Sequence, residues 1–205
     1  MGEAYLYLFD DMDRLGERFV AENMPKLPAF RRERCARYRQ ESDKKAYIIA
    51  YRLLEIGLAE RFGISGSIEF AYNEHGKPYL KDYPHTYFNI SHCRSGVACA
   101  VADVEIGVDI QEVRPFDVAV ARKVCSEPEL RQLSESDDPA KLFCQMWTKR
   151  ESYTKAKGIS VASVLKQELP QSGFSCWDMG ECQLAVYSGS GRSFKLKRLT
   201  VYDID

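Results

Sequence analysis

The run ESDKKAYIIAYRLLEIGLAERFG, residues 41–63, constrains this chain more than any other stretch. Apolar side chains return at three- and four-residue steps, at 47, 50, 51, 54, 58 and 62, and the pattern stops at Gly63. That period predicts a long amphipathic helix ended by a glycine, with Ser42 or Asp43 as its cap. Such a helix needs a sheet or another helix to cover its apolar stripe. Sheet material lies on both sides of it. AYLYLF (4–9), SIEFAY (67–72), YFNIS (87–91), GVACAVAD (96–103) and EIGVDIQEV (105–113) read as strands. The segment NEHGKPYLKDYPH (73–85), rich in Gly, Pro, Asn and Asp, reads as turns.

The second half repeats this kind of content without repeating the sequence. Helical patterning extends from about Asp117 to Gly158, broken near Ser126–Pro128 and again at Pro139. Short strands follow at SGFSCWD (172–178), CQLAVYS (182–188) and SFKLKRLTVYD (193–203), and a basic helix is expected over Pro28–Arg39. Each half thus holds strands and at least one long helix. The fold class expected is α+β, as two halves, 1–103 and 104–205, joined near Asp103–Glu105. A cleft between them is the natural ligand site.

Bulk properties narrow the function classes. The formal net charge of −1 argues against a general polyanion binder, and no base-reading motif is present. Charge is nonetheless uneven. Residues 31–45, RRERCARYRQESDKK, carry a net +4, whereas 127–138 hold five acids against Arg131. A compact basic patch suits a small phosphorylated ligand better than a duplex. Seven cysteines without a C-x-x-C pair, and only three histidines, argue against a zinc site or a disulfide framework. The N-terminal apolar run is too short for a signal segment, and no stretch approaches the ~18 apolar residues of a membrane span. A cytoplasmic protein in a reducing compartment is expected.

Candidate chemistry gathers on two segments. In WTKRESYTKAKG (147–158), a helical projection places Leu142, Phe143, Met146 and Tyr153 on one arc, with Trp147 at its edge. Glu151 lies just beyond that edge, Lys155 further round, and Arg150 inside the arc. Glu151 and Lys155 have the spacing of an ordinary i,i+4 pair, worth ~0.2–0.5 kcal/mol on a surface. A carboxylate at the rim of a core, beside an arginine that needs an anionic partner, points instead to a site. In EIGVDIQEV, the strand period puts Ile106, Val108 and Ile110 on one face and Gly107, Asp109 and Gln111 on the other. By itself this window reads as a half-solvated strand. Asp109 and Glu151 together would nonetheless give the two carboxylates a Mg²⁺ ion takes alongside phosphates. Ser91-His92 at a strand end and Lys77 in a constrained turn are further polar candidates.

The ordered set GKP, FNISH, IGVDI and WTKRESYTKAKG resembles the 4′-phosphopantetheinyl transferases, specifically the two-domain surfactin-synthetase-activating class. The match runs from the basic segment near residue 31 to Gly158. The resemblance implies a monomer of two pseudo-symmetric halves that binds coenzyme A in the cleft. Its phosphopantetheine arm would go to a serine of an acyl or peptidyl carrier protein, releasing 3′,5′-ADP. By similarity, Asp109 and Glu151 hold Mg²⁺ (with Mn²⁺ able to replace it), and Lys155 neutralises phosphate charge. Lys77, Ser91 and His92 contact coenzyme A, and Arg31 and Arg34 hold its 3′-phosphate. Glu151, directly or through a metal-bound water, takes the serine proton. The carrier is expected along Arg114–Ser126.

Three positions depart from the family pattern. Gln111 stands where many members carry an acid, so it is a weaker metal ligand, direct or through water. Glu112 would face the other way unless the strand is bulged. Arg150 replaces the usual lysine and can pair bidentately with a carboxylate or phosphate. Ala46 stands where a basic residue is frequent, with Lys45 as its substitute. These departures keep open an alternative, a non-catalytic coenzyme A or carrier-binding protein on the same scaffold.

Overall fold

The computed structural model describes residues 4–74, 76–189 and 194–204. It is α+β, with its sheets sandwiched between helices. The first sheet has the order β4-β5-β1-β9, from β1 (Ala4–Phe9), β4 (Tyr87–Cys93), β5 (Gly96–Ala102) and β9 (Phe194–Leu199). The second has the order β6-β8-β7, from β6 (Ile106–Glu112), β7 (Phe174–Asp178) and β8 (Cys182–Ser188). All pairings within them are antiparallel except that of β9 with β1. A chain-terminal strand beside the first strand was beyond the sequence patterning, which carries no register between distant segments. The expected start of this strand, Ser193, lies outside the described residues.

Helix α3 (Glu41–Phe62) covers one face of the first sheet, where Ile48, Ile49, Leu53, Leu54 and Leu58 meet Tyr7, Phe9, Cys99 and Val101. Its glycine stop is as expected: Gly63 is left-handed, its N–H donates to Ala59 O, and Ile64 N donates to Leu58 O. Its start differs. Gln40 is the N-cap and makes no side-chain cap bond, while Asp43 lies inside the first turn, where a carboxylate still favours the helix dipole. The shorter α2 (Ala29–Ala36) is the expected basic helix, preceded by α1 (Phe19–Asn23).

The other face of the first sheet packs on the second. Ala4, Leu6 and Leu8 of β1 and Ala98, Ala100 and Ala102 of β5 meet Ile106, Val108, Ile110, Leu184 and Val186. Both faces of the central strands are therefore covered. That is why AYLYLF and GVACAVA read as unbroken apolar runs, and not as alternation, and why Gln183 and Ser188 of CQLAVYS are buried too. It also corrects the reading of β6 as half-solvated: Ile106 through Ile110 are all buried, Asp109 with 4% of its surface exposed.

On the far side of the second sheet lie α4 (Val118–Val124), α5 (Glu127–Glu135) and α6 (Pro139–Lys157). The breaks fall where the sequence put them, at the Ser126 capping box and at Pro139 behind its Asp138 cap. A short hairpin, β2 (Phe70–Tyr72) with β3 (Pro78–Leu80), adds one strand inside the segment read as turns. Lys77 N donates to Asn73 Oδ1 in that turn, and Gly76 is left-handed there.

Candidate active site

The site is built where β4, β6 and α6 meet. Side chains alternate along β4, so Asn89 and Ser91 point toward the second half of the molecule. β4 and β6 lie side by side without a backbone ladder. The Val108 N–H, at that free edge, donates instead to Asn89 Oδ1 at 2.9 Å. One step along, Ser91 Oγ donates to Asp109 Oδ1 at 2.8 Å.

Helix α6 closes on the other side through an unusual seam. Cys144, Thr148, Ser152 and Ala156, four residues apart, are all buried. The bulky arc of the sequence projection faces a different core, with Met146, Leu142, Phe143 and Trp147 packed against α4 and α5, so this stripe is a second buried face that the projection missed. Small and hydroxylic residues form the sheet-facing one, and their hydroxyls are satisfied within the helix. Thr148 Oγ1 donates to Gln145 O and Ser152 Oγ to Lys149 O, so neither needs a partner in the sheet. Opposite them, Gly107 permits contact that no other residue could. A Cβ at this position would overlap Ser152 O and Ala156 N.

That close approach carries Glu151 and Lys155, flanking the seam, to Asp109. Lys155 Nζ lies 2.6 Å from Asp109 Oδ1 and 3.1 Å from Ser91 Oγ. The i,i+4 pairing of Glu151 with Lys155 is thus replaced by a longer-range ion pair. The remaining oxygen, Asp109 Oδ2, is buried and has no hydrogen-bond partner. Burial pushes the Asp109 carboxyl above its usual range, opposed by Lys155 and Ser91. Burial likewise raises Glu151, Lys155 opposes it, and the negative charge of Asp109 adds to it. Two converging carboxylates, one with an orphaned oxygen, have the donor chemistry of a hard divalent cation site. Among the described residues no cluster of three His, Cys, Asp or Glu side chains could hold a metal. Glu112 does face away, accepting from Ser95 Oγ at 2.8 Å, and the β6–β8 register runs unbroken through Glu112.

The other expected residues are distributed around this centre. His92, exposed on the opposite face of β4 from Ser91, titrates below its ordinary value through partial desolvation and then the Lys155 charge, with Asp43 opposing. Asp43, at the start of α3, was read from the sequence only as a candidate cap of that helix. Lys77 is held by two carbonyls, Ala156 O at 3.0 Å and Ile106 O at 3.4 Å, so its ammonium ties the β3 turn to the start of β6 and the end of α6. Desolvation lowers its pKa. Lys45 Nζ donates to Leu15 O. Arg31 donates to Tyr47 Oη and lies over the rings of Phe30, Tyr47, Tyr51 and Phe70, at 4.3 Å from the last. Arg34 is exposed and lines a cavity of about 610 Å³ with Arg37, Phe30, Tyr38 and Tyr72.

Arg150 finds its partner on α5. Its Nη2 lies 2.9 and 3.1 Å from the two carboxylate oxygens of Glu129, and it also donates to Val164 O and Gln167 O. The arginine is wholly buried. Glu129 is in turn the capping-box residue of α5, accepting from Ser126 N. Arg150 therefore braces α6 against α5 and the 164–167 segment, away from Asp109. Arg150→Ala is expected to cost about 3 kcal/mol, because it empties a wholly buried site and leaves the half-buried Glu129 without its cation. Arg150→Lys should cost clearly less, by keeping the charge on Glu129. Urea unfolding curves of the two variants measure this ordering.

A family model described as the 4′-phosphopantetheinyl transferase superfamily matches residues 105–195, which include Asp109, Glu151 and Lys155. A 4′-phosphopantetheinyl transferase of Bacillus subtilis is 32% identical over 187 residues, covering 89% of this chain and 79% of its own length. The 4′-phosphopantetheinyl transferase Sfp of Bacillus subtilis strain 168 is 29% identical, over 78% of this chain and 68% of its own. A third, 4′-phosphopantetheinyl transferase gsp of Aneurinibacillus migulanus, is 27% identical over 95% and 76%. The fold and the carboxylate–lysine centre thus lie in a transferase scaffold. The chain belongs to the 4′-phosphopantetheinyl transferase superfamily.

Proposed function

We propose that this protein transfers the 4′-phosphopantetheine arm of coenzyme A to a serine hydroxyl of an acyl or peptidyl carrier protein, releasing 3′,5′-ADP. The observation that carries this reading is the buried, unpartnered Oδ2 of Asp109 beside Glu151 and Lys155. Attack on a phosphoryl centre requires charge neutralisation and positioning more than covalent help from the protein. Asp109 and Glu151 would hold Mg²⁺ or Mn²⁺, with Gln111 contributing an amide oxygen or a water. When bound, such an ion supplies positive charge to the pyrophosphate oxygens.

The chain's own residues do the rest. Lys155, held on Asp109 and Ser91, supplies a fixed positive charge that a phosphate can share. Glu151, whose carboxyl is raised by burial, is a stronger base than a solvated glutamate and accepts the serine proton. Ser91 and His92 contact coenzyme A from β4, Lys77 from the β3 turn, and Arg31, Arg34 and Lys45 from the basic segment. The carrier docks along Arg114–Ser126, where α4 presents Val118 and Val120 beside Arg122 and Lys123, suiting an acidic, partly apolar helix. We place the halves at 1–103 and 104–205, and the active species as a cytoplasmic monomer. No helix among the described residues is long and apolar enough to cross a membrane.

The metal site has a pH signature. A carboxyl raised in the folded state keeps its proton to higher pH than in the unfolded chain. The ion must therefore displace protons from Asp109 and Glu151 at pH values where ordinary carboxylates are already free. Millimolar Mg²⁺ should raise Tm at neutral pH, and the shift should shrink as acid protonates the pair. Differential scanning at several pH values, with and without the ion, checks this.

The reading itself is tested by incubation with coenzyme A, Mg²⁺ and a panel of apo-carrier proteins. Release of 3′,5′-ADP that requires all three supports it. Tight coenzyme A binding with no release across the panel and no Mg²⁺ dependence would favour the non-catalytic binding protein.

A further inference from the structure

The two halves meet at a second point whose side chains take no part in the proposed transfer. The alternation that aims Asn89 at Val108 and Ser91 at Asp109 aims Cys93, two residues on, at Cys182. Their sulfurs are 3.7 Å apart. Cys93 ends β4 at the hairpin to β5 and is half-buried; Cys182 opens β8 and is buried. The two thiols therefore belong to different sheets and different halves. They pack against each other at the edge of the core between those sheets. An S–S bond of ~2.05 Å requires these two sulfurs to close further on each other.

We propose that Cys93 and Cys182 form a reversible oxidation site, closing an internal disulfide between the two halves when a hydroperoxide supplies the oxidising equivalents. The steps balance with hydrogen peroxide. The Cys182 sulfur attacks one peroxide oxygen and the O–O bond breaks, leaving a sulfenic acid and one water. The Cys93 sulfur then attacks the Cys182 sulfur. The S–O bond breaks, and the hydroxyl leaves with the Cys93 proton as a second water. Two thiols lose two electrons and the peroxide gains them. Hydrogen bonding, chiefly with Cys93, lowers the Cys182 thiol against the opposing effect of burial and favours it as the first nucleophile, and the steps balance equally with the two sulfurs exchanged. The same bond, with burial, pushes Cys93 up and leaves it protonated as the resolving thiol. A small peroxide suits a nearly enclosed sulfur better than a bulky disulfide oxidant. The cross-link would fix β4 against β8 two residues from Ser91.

This site stands independently of the transferase reading, because its test measures no transfer. The reduced full-length protein is exposed to hydrogen peroxide in modest molar excess, blocked with N-ethylmaleimide, and followed by intact mass and non-reducing peptide mapping. The expected result is a species two hydrogens lighter with two fewer blocked thiols. Its map should join the Cys93 peptide to the Cys182 peptide, and dithiothreitol should reverse it. Cys93→Ser and Cys182→Ser should each abolish the cross-link, whereas Cys35→Ser should not. If a serine variant fails to fold, the wild-type map still decides. Three results would overturn the proposal: sulfinic or sulfonic acid at either position without a cross-link, a disulfide between another pair, or all seven thiols still free.

Discussion

Asp109→Asn and Glu151→Gln should each lower the rate of carrier modification by about 10³-fold or more, with the fold intact. The substitutions act on different atoms. Asp109→Asn would retain a hydrogen-bond acceptor for Ser91 but remove the charge that holds Lys155 at 2.6 Å. It would also present a neutral amide where Oδ2 now lies buried and unpartnered. Glu151→Gln would remove both a cation ligand and the base. The effect of Glu151→Gln should fall on kcat, whereas Asp109→Asn should also raise KM for coenzyme A, because Ser91 and Lys155, both assigned to coenzyme A or its phosphates, are held by Asp109. Asp109→Asn has a second readout. The amide replaces a carboxyl whose burial disfavours its charge, so thermal stability at neutral pH should hold or rise while activity disappears. Activity and stability measured on one preparation separate a damaged site from a damaged fold.

Among the described glycines, Gly107→Ala is expected to have the largest structural effect. The new Cβ would fall on Ser152 O and Ala156 N, which are backbone atoms of a helix and cannot rotate aside. Only movement of α6 or β6 relieves the overlap. Overpacking usually costs 1–3 kcal/mol, and with backbone on both sides about 3 kcal/mol is expected here. For a chain of this size that corresponds to a fall in Tm of roughly 10 °C. The displaced helix carries Glu151 and Lys155, so activity should fall further than the folded fraction does. Calorimetry together with transfer assays of the remaining folded protein tests both parts. An alanine at this position that melts with the wild type would show that α6 does not rest on β6 as described.

The same positions mark what the sequence revealed and what it withheld. Asp109 and Glu151 were legible because the motifs IGVDI and WTKRESYTKAKG carry them with distinctive spacing. The element order was legible because helices and strands leave local periods, broken by Pro139, Gly63 and Ser126. The seam beneath α6, where Gly107 lies, was not. Cys144, Thr148, Ser152 and Ala156 are small or polar, so a hydrophobicity pattern assigns the buried face to their bulkier neighbours. Ser91 as the holder of Asp109, Asn89 as the acceptor for Val108, and Glu129 as the partner of Arg150 all depend on pairing between distant segments. The acidic run containing Glu129 stood out in the sequence only as local charge, yet this carboxylate caps α5 and holds a fully buried arginine. The parallel partnership of β9 with β1 is of the same kind.

Whether this centre moves phosphopantetheine to a carrier serine is decided most directly by the intact mass of an apo-carrier. The carrier is incubated with the protein, coenzyme A and Mg²⁺, beside a parallel reaction with Glu151→Gln. The expected result is a carrier heavier by one phosphopantetheine in the first reaction, located on serine by fragmentation, and an unmodified carrier in the second over the same time. An equal gain in mass with both proteins would contradict the assignment of Glu151. An unmodified carrier with the wild type, across carriers that a known transferase converts, would contradict the function.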